Sequence, residues 1–171
     1  MKKLIFFAGL ILLLNHLSVA QSQFQVLVER PNEKTLKGLI SREDLLADTS
    51  FHWYAENLKG YKPNQAALEG FKNHKDSVQL IVFMGTWCED SHNVIPKFYS
   101  LLDLAEVSPD RVTLIGVDRN KKTISHLSEA LHVDKVPTII VLKNGKELGR
   151  VIEFGKYGLF DMELGEILKA M

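Results

Sequence analysis

The chain has 171 residues, 46% of them hydrophobic and 25% charged, with 21 basic and 21 acidic side chains. That is about one domain's worth of sequence, and the even charge, with no basic run longer than Lys121-Lys122, excludes a nucleic-acid footprint. A single cysteine, Cys88, excludes an internal disulfide, so stability must come from packing.

In chain order, Lys2 and Lys3 form a short positive region, and Leu4 to Leu14 is an almost unbroken apolar stretch. Ser18-Val19-Ala20 then presents small residues where a signal peptidase reads. Residues 1–20 are therefore expected to be a signal peptide cleaved before Gln21, placing the remainder in the periplasm or outside the cell. The apolar stretch is short against the about 20 residues of a span, and polar Gln21, Ser22 and Gln23 follow it. No stable membrane span is expected after cleavage.

Phe24 to Val28 alternates weakly and reads either as a first strand or as an ordered arm. Ser41-Arg42-Glu43-Asp44 has the spacing of a capping box, which predicts a helix carrying Leu45, Leu46, Phe51, Trp53, Tyr54 and Leu58 until Gly60 to Pro63 ends it. Asn64 is placed to cap a second short helix with Ala67, Leu68 and Phe71. Residues 21–63 are set apart as an N-terminal extension, with no pairing assigned to 24–60.

The pattern then becomes firmer. Val78 to Met84 is nearly continuous in apolar residues, as expected of a strand covered on both faces. A helix is predicted from about Cys88 to Glu106, with Val94, Ile95, Phe98, Leu101, Leu102 and Ala105 at three- and four-residue intervals and a kink at Pro96. Val112 to Val117 is another buried strand, followed by a polar loop and a helix across Ile124 to Leu131. Strand, helix, strand at this spacing predicts a parallel crossover. Thr138 to Leu142 and Glu147 to Phe154 flank Asn144-Gly145, a strong hairpin signal, and Phe160 to Leu168 closes the chain as an amphipathic helix with Met162, Leu164, Ile167 and Leu168. The expected fold class is α/β, a central mixed sheet with helices on both faces.

The chemistry-bearing segment is Met84-Gly85-Thr86-Trp87-Cys88-Glu89-Asp90-Ser91. A cysteine carried by a buried strand to the start of a helix reads as a reactive thiol, because free N–H groups of the first turn favour a thiolate; Glu89 and Asp90 oppose it, and protonated His92 would offset them. The inert reading is a core thiol. Ser91 either donates to the thiolate or caps the helix start. Glu89, Asp90 and His92 crowd together, but neighbours along a helix do not aim at one centre, so no metal site is assigned. No phosphate loop or nucleotide fingerprint is present, and no cofactor is expected.

Trp87-Cys88-Glu89-Asp90-Ser91, with Pro96 eight residues after the cysteine and Lys135-Val136-Pro137-Thr138 before the hairpin, resembles the thioredoxin family. The likeness covers roughly residues 64–170, and the thioredoxin-like domain is set at 64–171. It implies a thioredoxin fold, a cis Pro137, and a substrate groove formed by Trp87, Val136 and Pro137, with packing and trans-loop roles as the bland alternatives. Two departures matter. The family's second cysteine is Ser91 here, and its buried aspartate six residues before the first cysteine is Val82.

The resemblance therefore implies a monothiol thiol-disulfide exchange protein acting through a mixed disulfide at Cys88, with Ser91 beside it, as an isomerase or oxidoreductase. Its partners would be protein or small-molecule thiols and disulfides. The alternative, from another class, is a non-catalytic thioredoxin-fold binding or chaperone-like protein that keeps the groove and has lost the redox cycle.

Overall fold

The computed structural model describes residues 23–31 and 33–171. The expected signal peptide, residues 1–20, lies outside the described residues. Six strands form one sheet in the order β1-β2-β4-β3-β5-β6: β1 is Phe24–Arg30, β2 Glu33–Ile40, β3 Val78–Met84, β4 Val112–Gly116, β5 Thr138–Lys143 and β6 Lys146–Ile152. The centre is the expected crossover, with β3 parallel to β4, and β5 returns antiparallel beside β3. Asn144 and Gly145 take φ of +51° and +75° in the turn of the β5–β6 hairpin. Two successive positive φ values are the requirement that an Asn-Gly pair meets at least cost.

The helices are α1 Arg42–Ala47, α2 Trp53–Glu56, α3 Gln65–His74, α4 Glu89–Leu104, α5 Leu127–Ala130 and α6 Phe160–Lys169. Alternation along β3 divides the core. Val78, Leu80, Val82 and Met84 face the larger cluster, with Phe71 of α3, Phe98 of α4 and Leu164 of α6. Phe83 faces the smaller one, with Ile115, Val117, Val133, Val136 and Ile140, against which Leu127 packs. Val82, the departure from the family's buried aspartate, is fully buried among apolar neighbours.

The segment left unpaired in the sequence reading is part of this sheet. β1 and β2 form an antiparallel hairpin, and Gly38, Leu39 and Ile40 of β2 pair with Gly116, Ile115 and Leu114 of β4. Phe24–Arg30 is thus a strand, the first of the two readings offered for it. β2 escaped notice because Lys34, Thr35, Lys37 and Gly38 break its apolar alternation. Gly38 takes φ of +124°, and a Cβ there would lie 2.5 Å from the Gln23 carbonyl oxygen.

Three helices differ from expectation. Ser41 and Asp44 make the reciprocal capping box, but the helix it starts ends at Ala47. Asp48 adopts extended backbone and its carboxylate accepts the Ser50 amide, opening a 3-10 turn at Thr49–Phe51 before α2. A short acceptor able to bond two residues ahead competes with helix continuation. The helix expected across 124–131 is a 3-10 turn at Ile124–His126 and the short α5, because Ser125 and His126 are left-handed, at φ +62° and +54°. Pro96 sits inside α4, which runs on to Leu104. On α6, Leu164 and Leu168 are buried whereas Met162 is exposed.

Candidate functional site

β3 ends at Met84 and delivers a tight loop, Gly85 to Cys88, closed by the Cys88 amide donating to the Gly85 carbonyl at 3.0 Å. Cys88 is the N-cap of α4, with φ −100° and ψ 120°, and its own carbonyl accepts the His92 amide at 2.9 Å. The thiol is free and half-buried. Its Sγ lies 3.3 Å from the Val136 carbonyl oxygen, to which the S–H donates. The Val136–Pro137 peptide bond is cis, and the Pro137 carbonyl accepts the Glu153 amide at 2.7 Å, tying this loop to the end of β6. Trp87, Cys88, Val136 and Pro137 are thus brought into one neighbourhood from segments about fifty residues apart in sequence.

Ser91 is elsewhere in its chemistry. It is fully buried, and its Oγ accepts the Gly85 amide at 3.2 Å, so it holds the loop onto the first turn of α4. Its hydroxyl makes no hydrogen bond to the thiol, whose partner among the described residues is the Val136 carbonyl. Trp87 is pinned: its Nε1 donates to the Val117 carbonyl at 3.0 Å, and its ring lies over Gly85, where a Cβ would come within 2.7 Å of the indole. The Arg119 guanidinium stands 5.0 Å from the ring centroid and Lys121 5.8 Å, both in cation–π range. Arg119 is bidentate to Glu33 of β2.

His92 is a packing residue. Its ring stacks on Trp53 at 4.2 Å and 12°, and Nε2–H donates to the Thr86 carbonyl at 2.7 Å. Burial lowers its pKa, against the smaller opposing effect of that hydrogen bond, so the site disfavours the charged ring that the sequence offered as an offset to Glu89 and Asp90. Sequence reasoning missed Thr86 and Trp53. The Thr86 hydroxyl donates to the Lys34 carbonyl at 2.9 Å and accepts the Leu36 amide at 3.1 Å, joining the Cys88 loop to β2 as a rung of the ladder would. Nearby, Asp118 receives Lys37 at 2.7 Å and the amides of Asn120 and Lys122. Burial alone would raise its pKa; Lys37 and those amides reverse the shift and hold it below the ordinary value. Lys34, Leu36 and Lys37, the partners on β2, lie too far along the chain from Thr86 and Asp118 to leave a local signature.

Among the described residues, no group of three or more His, Cys, Asp or Glu is placed to hold a metal ion, and no helix is long and apolar enough to cross a membrane. What the arrangement offers is one half-exposed thiol beside a fixed indole and a loop carbonyl, without a second group positioned to release a mixed disulfide.

The family model described as Thioredoxin matches residues 64–159. Among curated proteins, the chain is 28% identical over 98 residues to a thioredoxin of Echinococcus granulosus, covering 57% of this chain and 81% of that one. It is 26% identical over 107 residues to a thioredoxin of Alicyclobacillus acidocaldarius, covering 61% and 90%. Among solved structures, an HIV epitope-scaffold superposes with a TM-score of 0.51 at 15% identity, covering 77% of this chain and 99% of that one, a likeness of fold alone.

Proposed function

The chain belongs to the thioredoxin family, and from that premise we propose that it is a binding protein that takes an extended, cysteine-containing partner segment along Trp87, Val136 and Pro137 without a dithiol cycle of its own. The observation that carries this reading is Ser91, buried and bonded to the Gly85 amide where a resolving thiol would stand. An alcohol cannot form a disulfide, and this one is engaged in holding the loop. Cys88 keeps its place at the edge of the groove, its thiol against the Val136 carbonyl. That carbonyl belongs to the backbone a bound segment would pair with. Titrating a labelled unfolded peptide against wild type and Cys88→Ser tests it: similar affinity for both is expected, and loss of all binding in Cys88→Ser would reject the non-covalent reading.

The half-exposed thiol at a helix N-cap favours a second reading, monothiol exchange. Here the Cys88 thiolate attacks one sulfur of a partner disulfide. A new S–S bond to Cys88 forms, the old one breaks, and the departing thiolate carries away the electron pair. A further thiol, of the partner or of a small molecule, must then attack the mixed disulfide. Turnover of a mixed-disulfide peptide followed by mass spectrometry separates the readings, because only exchange consumes it and only exchange vanishes in Cys88→Ser.

Residues 1–20 are proposed as a signal peptide, with 21–63 as an extension of a thioredoxin-like domain at 64–171, which would set this binding in the periplasm or outside the cell. The apolar Leu4 to Leu14 stretch after Lys2-Lys3 supports the export reading. Intact-mass measurement on the exported protein should find an N-terminus at Gln21; retention of Met1 in that fraction would reject cleavage.

A further inference from the structure

We propose that the cleft beside Trp87, between the Cys88 loop and the turn at residues 49–53, is a subsite for one uncharged aromatic side chain flanking the cysteine of a bound partner segment. The inference rests on the groove reading above and adds to it a residue preference. None of the residues lining this cleft belongs to the 136–137 loop. It is a second surface, which shares Trp87 with the groove and takes Glu33, Lys34 and residues 50–53 from the segment that precedes the family-matched region.

Size and lining decide what fits. The cleft holds about 270 Å³, just under the roughly 300 to 1,000 Å³ of small-ligand pockets, which suits a single side chain and not a cofactor. Phe51, Trp53 and Trp87 supply apolar walls, and the His92 ring, flat on Trp53, adds a fourth. Rings of fixed orientation offer faces and edges to an aromatic guest. The charges at the rim are already taken: Glu33 is bidentate to Arg119, and Lys34 is paired with Asp48. A charged guest would be desolvated beside apolar rings, and the carboxylate and the ammonium that line the cleft, of Glu33 and Lys34, already have partners. Ser50 and His52 are exposed at the mouth. Thr86 and Trp87, which line the cleft, directly precede Cys88, so the cleft borders the loop that carries the thiol, and the guest is assigned to the position next to the partner's own cysteine.

The test uses the full chain and labelled peptides Gly-Xaa-Cys-Gly and Gly-Cys-Xaa-Gly with Phe, Gly, Glu or Lys at Xaa, titrated by fluorescence anisotropy. In one of the two orders the Phe peptide should bind about tenfold tighter than the Gly peptide, the scale expected for burying one aromatic side chain. The Glu and Lys peptides should bind no better than Gly. Ser50→Trp, which places an indole in the mouth from an exposed position, should bring the Phe-to-Gly ratio toward one. Equal affinities for all peptides in wild type, or a ratio that Ser50→Trp leaves untouched, overturns the subsite alone. Absence of binding by every peptide, Gly included, overturns the groove reading together with it.

Discussion

At the scale of single residues, Thr86 and His92 hold the loop that carries the thiol, Thr86 through β2 and His92 through the Thr86 carbonyl and Trp53. The Thr86 hydroxyl is nearly fully buried and is both donor and acceptor to β2, so removing it leaves the Leu36 amide and the Lys34 carbonyl without that partner. Thr86→Val should cost about 1 to 3 kcal/mol in urea unfolding, the penalty of orphaned buried groups, while Thr86→Ser should retain most of the stability. His92 supplies a pH dependence. Burial holds its folded pKa below the ordinary 6.5, so the unfolded chain binds the proton more readily. Its contribution is therefore complete above about pH 6.5 and is lost as pH falls below that value toward the folded pKa. Unfolding midpoints measured from about pH 8 down to about pH 5 should decline, and His92→Phe, which keeps a ring against Trp53, should flatten that part of the slope. An unchanged slope would show that His92 does not carry it.

At the scale of elements, the break at Asp48 sets the geometry on one flank of the site. Were the helix begun at Ser41 to continue, Phe51 and Trp53 would not turn back toward Trp87. Asp48 prevents this by accepting the Ser50 amide and hydroxyl and by pairing with Lys34 of β2. Lys34 and Ser50 together hold its carboxyl down to about 2. Asp48→Ala should lower stability by about 1 kcal/mol, the usual worth of such a cap, since the carboxylate is partly exposed and solvent screens its ion pair. The deficit should shrink in acid, because the wild-type contribution is present above the ordinary aspartate value and disappears as pH falls toward about 2. The same substitution should also weaken the preference for a Phe peptide, by loosening the turn that walls the cleft.

At the scale of the whole molecule, the larger hydrophobic cluster extends beyond the region matched by the family model. Leu36, Ile40, Leu45, Phe51, Trp53 and Tyr54 lie in the larger hydrophobic cluster, and all precede residue 64. A chain starting at residue 64 would expose the apolar surface they cover, leave the β4 edge without β2, and remove the partners of Thr86 and the stacking ring of His92. Such a chain should bind a hydrophobic dye and lose the cooperative unfolding of the full protein, read by calorimetry. Cooperative melting at the full-length temperature would show that the family-matched region folds alone. Val82 and Ser91, at the positions where the family resemblance sets a buried aspartate and a second cysteine, are both buried and serve packing and the loop rather than a dithiol pair.

The sequence by itself determined the elements whose signals are local. These are the buried strands β3 and β4 with the helix between them, the β5–β6 hairpin at Asn144-Gly145, and the placement of Cys88 at the start of α4 by a strand that ends at Met84. Periodicity, capping and turn chemistry act within a few residues, and the motif around Cys88 is contiguous. Only the tertiary structure decided that β2 completes the sheet beside β4, that Ser91 turns inward to the Gly85 amide, and that Trp53, His92 and Thr86 wall one flank of Trp87 while Val136 meets the thiol on another. Those outcomes depend on hydrogen bonds and ring contacts between segments far apart in the chain. A hydroxyl such as Thr86 carries no mark, in its own neighbourhood, of the strand it will join.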